Sequence, residues 1–231
     1  MEYYFSKQQQ GIDKKIKRFV VERCKAFIVG PSVLDVGYVD DLWAKHILKE
    51  KYNLCIIEKN KKHARLARNK YKHKNNVKVI CQDIEKIKIK QKFDTIILGD
   101  MIQYLKKPKS FLKQIKKNLN NKGSLIVTVP NAKSLHRRIG YYLSKDLDQL
   151  KLSSSDKKTG NVRYFDKYIL NKLLVVSGWE PLAIHGCFLK PLSSKQMRKW
   201  SQKLLQAFFL LGDELQDYAW FLYAICKKRS I

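Results

Sequence analysis

The 231-residue sequence has no long hydrophobic run, although 45% of its residues are hydrophobic. No stretch approaches the roughly 18 apolar residues that a membrane-spanning helix needs, so we expect no transmembrane segment. After residue 6 the sequence continues with one Lys and three Gln, where a signal peptide would have its apolar part. This favours a cytoplasmic protein. The hydrophobic content still suffices for a core and excludes global disorder. The length fits one domain, or one domain with a modest appendage.

Cysteine pairs with the spacing of metal or redox motifs are also lacking. The five cysteines are odd in number, none forms a CxxC pair, and three lie in apolar runs. This pattern predicts buried, reduced thiols, with neither a disulfide framework nor a zinc site. We therefore expect no metal centre.

Arginine and acidic residues are both scarce beside lysine. The sequence has 48 Lys and Arg against 20 Asp and Glu, a net charge of +28, yet only 9 of the basic residues are Arg. A basic surface can neutralise nucleic-acid phosphates. Surfaces that read phosphates and bases favour Arg, however, because its guanidinium forms bidentate contacts. We interpret the lysine excess as a solvated surface and disfavour a nucleic-acid partner, while keeping it as an alternative.

Short apolar runs alternate with amphipathic helices along the first 130 residues. Five of these runs are predicted to be buried strands, at residues 32–37, 54–58, 77–81, 93–98 and 124–129. Such alternation indicates an α/β fold, a doubly wound, Rossmann-like and mostly parallel sheet with helices on both faces. There is no internal repeat and no low-complexity linker.

The remaining segments are interpreted as parts of one domain spanning residues 1–231. We divide it into an N-terminal helix within 1–30, a ligand-binding core at 31–150, loop and lid elements at 151–215, and a last strand at 216–231. Within the third part, the pattern predicts a polar loop at 151–160, a helix at 165–177, a strand at 181–188 and a helix at 195–211.

Acidic residues and glycines stand at the ends of the predicted strands. Glu58 follows Asp35 by 23 residues, close to the spacing at which a second-strand acid binds a ribose diol. A carboxylate suits that role because it can accept hydrogen bonds from two vicinal hydroxyls. Asp83, after the third strand, could accept a hydrogen bond from an adenine amino group. The alternative is that these acids cap the helices that follow them.

These motifs resemble those of class I S-adenosylmethionine-dependent methyltransferases, and the resemblance covers nearly the whole chain. Val33–Gly37 is similar to the first motif, Ile56–Glu58 to the second-strand acid, and Cys81–Ile84 to the adenine-contacting turn. Residues 130–140 resemble the small-molecule branch that includes the ubiquinone-pathway O-methyltransferases. Residues 160–192 resemble a subgroup associated with surface-glycan and secondary-metabolite pathways.

The resemblance implies a seven-stranded sheet with an antiparallel last strand, extra helices near the C-terminus, and S-adenosylmethionine as the cofactor. It implies methyl transfer to an O or N atom of a small-molecule or glycan-linked acceptor. Cofactor binding is assigned to the strand ends, namely Asp35, Gly37, Tyr38, Val39, Glu58, Lys59, Asp83, Ile84, Gly99 and Asp100. The candidate catalytic residues are Tyr104, His136 and Arg163.

The sequence also departs from the family pattern. Val39 and Asp41 stand where glycines are expected, so a Cβ would enter space that the cofactor uses. Relatives often read Glu-His-Leu where this sequence has Gln103, Tyr104 and Leu105, and they often have a histidine at the position of Asn161. One alternative is therefore a catalytically impaired pseudoenzyme that serves as a partner protein. A nucleic-acid methyltransferase or RNA-binding protein is less favoured, because no Asp/Asn-Pro-Pro motif follows the fourth strand.

Each of the catalytic candidates also has a simpler explanation. For Tyr104 it is a side chain that packs over the cofactor pocket. His136 lies in a predicted helix among arginines, where a solvated surface position is the plainer interpretation. Arg163 belongs either to a substrate-facing loop or to a hydrophobic staple before a helix that Asp166 caps.

Overall fold

In a computed structural model, which describes residues 7–38, 41–144, 150–152 and 154–229, the alternating elements form one seven-stranded sheet. Its order is β3-β2-β1-β4-β5-β7-β6. The strands are β1 (Ser32–Val36), β2 (Asn53–Glu58), β3 (Val77–Cys81), β4 (Phe93–Gly99), β5 (Leu119–Pro130), β6 (Trp179–Cys187) and β7 (Phe221–Lys228). Strands β1 to β5 pair in parallel, whereas β7 runs antiparallel to both of its neighbours. The predicted fold class and the antiparallel last strand are confirmed.

Helices cover both faces of the sheet. They are α1 (Lys7–Cys24), α2 (Leu42–Lys49), α3 (Lys61–Tyr71), α4 (Pro108–Ile115), α5 (Leu135–Ser144), α6 (Ser154–Lys158), α7 (Lys167–Val176), α8 (Ser194–Met197) and α9 (Gln202–Glu214). Alternate residues of β1 belong to different cores, because successive side chains of a strand point to opposite faces. Val33 belongs to the core that contains residues of α1, α2, α3, α8 and α9, whereas Leu34 belongs to the core that contains residues of α4 and α7.

The strand order places a ligand-binding crevice at the carboxyl ends of β1 and β4. These strands are neighbours at the centre of the sheet, but their connections continue in opposite directions. Ligands of doubly wound sheets bind where the strand order reverses in this way. The fold therefore brings the turn after Val36 next to the turn after Gly99.

The prediction of one continuous helix at 195–211 is wrong, because two separate helices, α8 and α9, lie there. Ser193 forms a capping box with Gln196 at the start of α8, and the Ser201 side chain accepts a hydrogen bond from the Leu204 amide at the start of α9. A capping serine accepts a hydrogen bond from a backbone amide that would otherwise lack a partner at the start of a helix. Ser201 therefore begins a new helix.

Smaller differences concern the ends of other elements. The N-terminal helix ends at Cys24 and continues as a 3₁₀ turn to Phe27, instead of reaching residue 30. The polar loop predicted at 151–160 contains the short helix α6. Strand β5 begins at Leu119, five residues before the strand predicted at 124–129, and its register with β4 shifts between Phe93 and Thr95.

Four of the five cysteines are buried, as the sequence predicted. Burial raises the pKa of Cys55 to about 11 and those of Cys187 and Cys226 to about 12, and it also raises the pKa of Cys24. Thiols with such high pKa values carry little nucleophilic thiolate near neutral pH. Among the described helices, none is long and apolar enough to cross a membrane.

Candidate active site

The turn after β1 forms the floor of the crevice. The Gly37 amide donates to the Ile57 carbonyl at 2.8 Å, and Gly37 has a φ of +90° that favours glycine. A Cβ at this position would lie 3.4 Å from the Cβ of Met101. Asp35, 2% exposed within β1, lies two residues before this turn, and Val39 falls outside the described residues.

Glu58 lies at the carboxyl end of β2 and is only 3% exposed. Its Oε1 accepts a hydrogen bond from the Asn60 amide at 2.7 Å. Burial raises the pKa of Glu58, although this hydrogen bond acts in the opposite direction. A buried carboxylate at this strand end can accept hydrogen bonds from ligand hydroxyls. The next residue, Lys59, is exposed.

Asp83 and Ile84 lie after the neighbouring strand β3. Asp83 is exposed and accepts a hydrogen bond from the Glu85 amide at 3.1 Å, so its carboxylate caps the 3₁₀ turn that Ile84 begins. Ile84 is buried. The capping role proposed as an alternative for strand-end acids thus operates at Asp83, and it leaves the backbone of this turn in a fixed position.

Asp41 points away from the crevice, although it stands where the family pattern has a glycine. Its Oδ1 accepts a hydrogen bond from the Tyr38 hydroxyl at 2.8 Å and another from the Tyr71 hydroxyl, and its Oδ2 pairs with Lys70. Lys45 lies 3.6 Å from Oδ2. Burial acts to raise the pKa of Asp41, but the three hydrogen bonds outweigh it and lower the pKa. The Asp41 side chain therefore does not occupy the space that the family's glycine leaves for the cofactor.

Asp100 is the carboxylate at the centre of the crevice. Its backbone has a φ of +55°, and its amide donates to both the carbonyl and the hydroxyl of Thr128 at 3.0 Å. Its Oδ2 forms an ion pair with Lys17 of α1 at 2.6 Å, and its Oδ1 accepts a hydrogen bond from Gln103. The Trp43 side chain packs against the preceding residue, Gly99. A Cβ added at Gly99 would lie only 2.5 Å from the indole nitrogen.

Two cavities meet at this carboxylate. The first, which we call the strand-end cavity, has a volume of about 30 Å³, and its lining includes Gly37, Trp43, Gly99 and Thr128. The second, which we call the outer cavity, has a volume of about 220 Å³ and extends beneath α5 and α6. Lys17, Asp100 and Phe221 line both cavities. The strand-end cavity has room for about one water molecule, whereas the outer cavity has room for a small organic group.

His136 lines the outer cavity and is half-buried, so the interpretation of this residue as a solvated surface histidine is wrong. Its amide donates to the Lys190 carbonyl at 3.1 Å, and its Nδ1 lies 3.2 Å from the Ser134 hydroxyl. Burial, with help from the positive charges of Lys190 and Arg137, lowers the pKa of His136 to about 3. The imidazole is therefore neutral near pH 7, and a pKa this low makes it a weak proton acceptor that can still accept a hydrogen bond.

The structure separates the other two catalytic candidates. Tyr104 lines the outer cavity together with Asn161 and Tyr164. Arg163 is not among the residues that line this cavity, since its guanidinium donates to the carbonyls of Leu105 at 2.9 Å and Lys106 at 3.1 Å. Arg163 thus fixes the turn after β4, which corrects its assignment as a residue at the reacting centre.

Several residues of the site could not be inferred from the sequence. Lys17 and Trp43 come from helices whose apolar stripe gave no sign of a polar role. Asp156 of α6 lines the outer cavity, lies 3.8 Å from Arg137 and accepts a hydrogen bond from Asn161 at 3.4 Å. The only sequence signal for Asp156 was its position in a polar loop, which gave no indication of these partners.

With this geometry in place, the chain can be compared with known proteins. Residues 4–184 match the family model described as a methyltransferase domain. The chain belongs to this family of S-adenosylmethionine-dependent methyltransferases. The cofactor and the reaction type expected from the motifs are thereby confirmed at the level of the family. The finer resemblance to glycan or ubiquinone-pathway branches stays a prediction.

Solved structures of low sequence identity share this methyltransferase's fold. An S-adenosylmethionine-dependent methyltransferase from Clostridium acetobutylicum has 15% identity and a TM-score of 0.60, with 94% of this chain and 92% of that chain covered. One from Mesorhizobium loti has 15% identity and a TM-score of 0.65, with coverages of 91% and 98%. A structure of a Haloferax volcanii putative methyltransferase with the Trm112 activator has 10% identity and a TM-score of 0.65, with coverages of 97% and 94%. No curated protein matches the sequence.

Within the described ranges, no group of three or more His, Cys, Asp or Glu side chains is arranged to hold a metal ion.

Proposed function

We propose that the protein transfers the methyl group of S-adenosylmethionine to an O or N atom of a small-molecule or glycan-linked acceptor in the outer cavity. The observation that carries this proposal is the wall common to the two cavities, formed by Lys17, Asp100 and Phe221. Donor and acceptor on either side of this wall would lie close together, and such positioning supplies much of the acceleration of a bimolecular reaction. We expect the reaction to take place in the cytoplasm.

The residues at the strand ends suit the nucleoside end of the cofactor. We assign Glu58 to the ribose hydroxyls and the turn of Asp83 and Ile84 to the adenine. Gly37 and Tyr38 are assigned to the chain that joins the nucleoside to the amino acid. The donor set fits, because Glu58 is a buried carboxylate and the Asp41 side chain is turned towards α3. When bound, the cofactor supplies an activated methyl group.

The methionine end of the cofactor requires a local rearrangement. Asp100 can attract the positive charges of the cofactor, but Lys17 now holds this carboxylate and the strand-end cavity is only about 30 Å³. We infer that Lys17 leaves Asp100 when the cofactor enters. Lys17 lies on α1 with 15% of its side chain exposed, so it can move without opening the sheet.

His136 is our candidate for a residue that accepts a hydrogen bond from the acceptor and orients it, because a pKa of about 3 makes it a weak base. It is neutral, it lines the outer cavity, and the Ser134 hydroxyl lies beside its Nδ1. Tyr104 lines the same cavity and is assigned to positioning of the acceptor. A cavity of about 220 Å³ favours a single ring or a sugar unit over a nucleic-acid strand.

Calorimetry with S-adenosylmethionine and S-adenosylhomocysteine tests the cofactor assignment. We expect both to bind, and Glu58→Gln to weaken binding about tenfold, or 1.4 kcal/mol, because the neutral amide has one acceptor oxygen where the carboxylate offers two charged ones to the ribose diol. Glu180→Gln, an exposed position on β6, is the matched control. Lack of binding at millimolar ligand would instead support the alternative of a partner protein with a methyltransferase fold.

A further inference from the structure

The helix α5 differs from the neighbouring helices, because none of its ten residues is buried. Helices α1, α2, α3, α4, α7 and α9 each place two or more apolar side chains in the cores. Three apolar side chains of α5 face outward instead, with exposed fractions of 39% for Ile139, 68% for Tyr142 and 81% for Leu143, while Leu135 and Tyr141 are half-buried. An exposed stripe of this kind is costly in water, so it requires a partner.

The three apolar residues form one face. Their spacing of i, i+3 and i+4 places them side by side on an α-helix. Leu150, which follows this helix in the chain, is also exposed, at 42%. Gly140 lies in open space, since a Cβ added there would meet no atom within 4 Å. We call these three exposed side chains the α5 face (Ile139, Tyr142 and Leu143).

Basic residues are frequent in the chain on both sides of this face. In the sequence, residues 133–167 contain nine basic and four acidic side chains. Lys151, Lys157 and Lys158 are exposed nearby in the chain, and Arg138 of α5 packs over the Tyr218 ring at 4.9 Å. An apolar helix face with a Tyr and flanking Lys and Arg side chains is the composition of a helix that lies on an anionic membrane surface.

We propose that the α5 face docks on an anionic phospholipid bilayer. A second copy of the chain is a poorer fit, because a two-fold contact between α5 faces would bring like charges together. A nucleic acid would match the charge but leave the apolar stripe uncovered. The bilayer satisfies both features, since acyl chains take up the stripe and anionic headgroups attract the cations.

Docking in this way would place the outer cavity beside the lipid headgroups. His136 and Arg137 belong to α5 and line that cavity, while the α5 face points outward from the same helix. Resting on the proposed function, this arrangement identifies the acceptor as the polar end of a membrane-embedded amphiphile. Docking itself does not depend on methyl transfer.

Vesicle sedimentation tests the proposal. The full-length protein is mixed with vesicles of phosphatidylglycerol and phosphatidylcholine, or with vesicles of phosphatidylcholine alone. We expect the protein to pellet with the anionic vesicles and the double variant Tyr142→Ser/Leu143→Ser to lose roughly tenfold in partitioning, because two apolar side chains no longer enter the acyl region. The control is Leu204→Ser/Leu210→Ser, which changes two exposed leucines of α9.

Three results would overturn the proposal. The protein could stay in the supernatant with anionic vesicles, or the α5 variant could pellet as well as the unchanged protein, which would reduce the contact to surface charge. Light scattering could show a dimer that the α5 variant converts to a monomer, which would assign the face to a second copy. Cofactor calorimetry on the same samples keeps a failure of the proposed function distinguishable from a failure of membrane docking.

Discussion

At the scale of single residues, Asp41 shows how a departure from a family motif can be accommodated. A glycine at this position would have no side chain with which to contact α3. Asp41 instead ties that loop to α3 through Tyr38, Tyr71 and Lys70. We infer that the carboxylate fixes the loop by hydrogen bonds where relatives rely on glycines.

This interpretation makes a prediction opposite to that of the motif. Asp41→Gly restores the family residue, yet we expect it to weaken S-adenosylmethionine binding about tenfold, because the tyrosine hydroxyls and Lys70 lose their acceptor. Asp41→Asn should have a smaller effect, since the amide oxygen still accepts a hydrogen bond. Calorimetry measures both variants, with the exposed Glu50→Gln as control. Tighter binding by Asp41→Gly would show that the motif glycine is simply missing.

At the scale of elements, α1 acts as a cover for the crevice. Its residues Ile12, Ile16 and Val20 pack in the core, while Lys17 faces the strand-end cavity and pairs with Asp100. Next to it, Asp13 accepts a hydrogen bond from Ser194 at 2.6 Å and lies 3.4 Å from the Lys190 ammonium. These contacts hold α1 over the sites proposed for both substrates.

The ion pair between Lys17 of α1 and Asp100 leads to a second prediction about cofactor affinity. Lys17→Met removes the cation that competes for Asp100, so we expect S-adenosylmethionine to bind about three- to tenfold more tightly, by roughly 1 kcal/mol. Lys15→Met, on the exposed side of the same helix, is the control for the loss of one positive charge. An unchanged dissociation constant for Lys17→Met would mean that this ion pair persists in the cofactor complex.

At the scale of the whole molecule, buried ionisable groups link stability to pH. The free energy of unfolding depends on pH wherever the folded and unfolded chains bind different numbers of protons. His136 has a pKa of about 3 in the folded protein, against about 6.5 in an unfolded chain. The unfolded chain therefore binds more protons between these two values, and stability falls as the pH drops from about 6.5 towards about 3.

Removal of this histidine should flatten that part of the profile. Urea unfolding at about pH 7.5 and about pH 5 should show the unchanged protein losing roughly 1–2 kcal/mol more than His136→Asn. The two proteins should differ much less in this respect above the ordinary pKa. Asn is also expected to impair methyl transfer without changing cofactor affinity. Equal acid sensitivity of the two proteins would mean that His136 titrates near its usual pKa.

The whole-molecule charge of +28 is carried by a surface rich in Lys. Of the cations singled out near the proposed sites, Lys17, Lys190 and Arg137 are tied to acidic or aromatic partners. The charge therefore bears on what the surface approaches, such as an anionic bilayer, more than on the reaction.

The sequence by itself determined the sheet, because its short apolar runs fit buried strands and the segments between them have the apolar spacing of amphipathic helices. It also placed Glu58, Asp83 and Asp100 at strand ends, since a parallel sheet gathers those ends at one edge. Only the tertiary structure decided where Asp41 points, that His136 is half-buried, that Arg163 binds backbone carbonyls, and that Lys17 reaches Asp100. These outcomes depend on side chains from elements as far apart as α1 and β4, and local periodicity carries no information about such distant contacts.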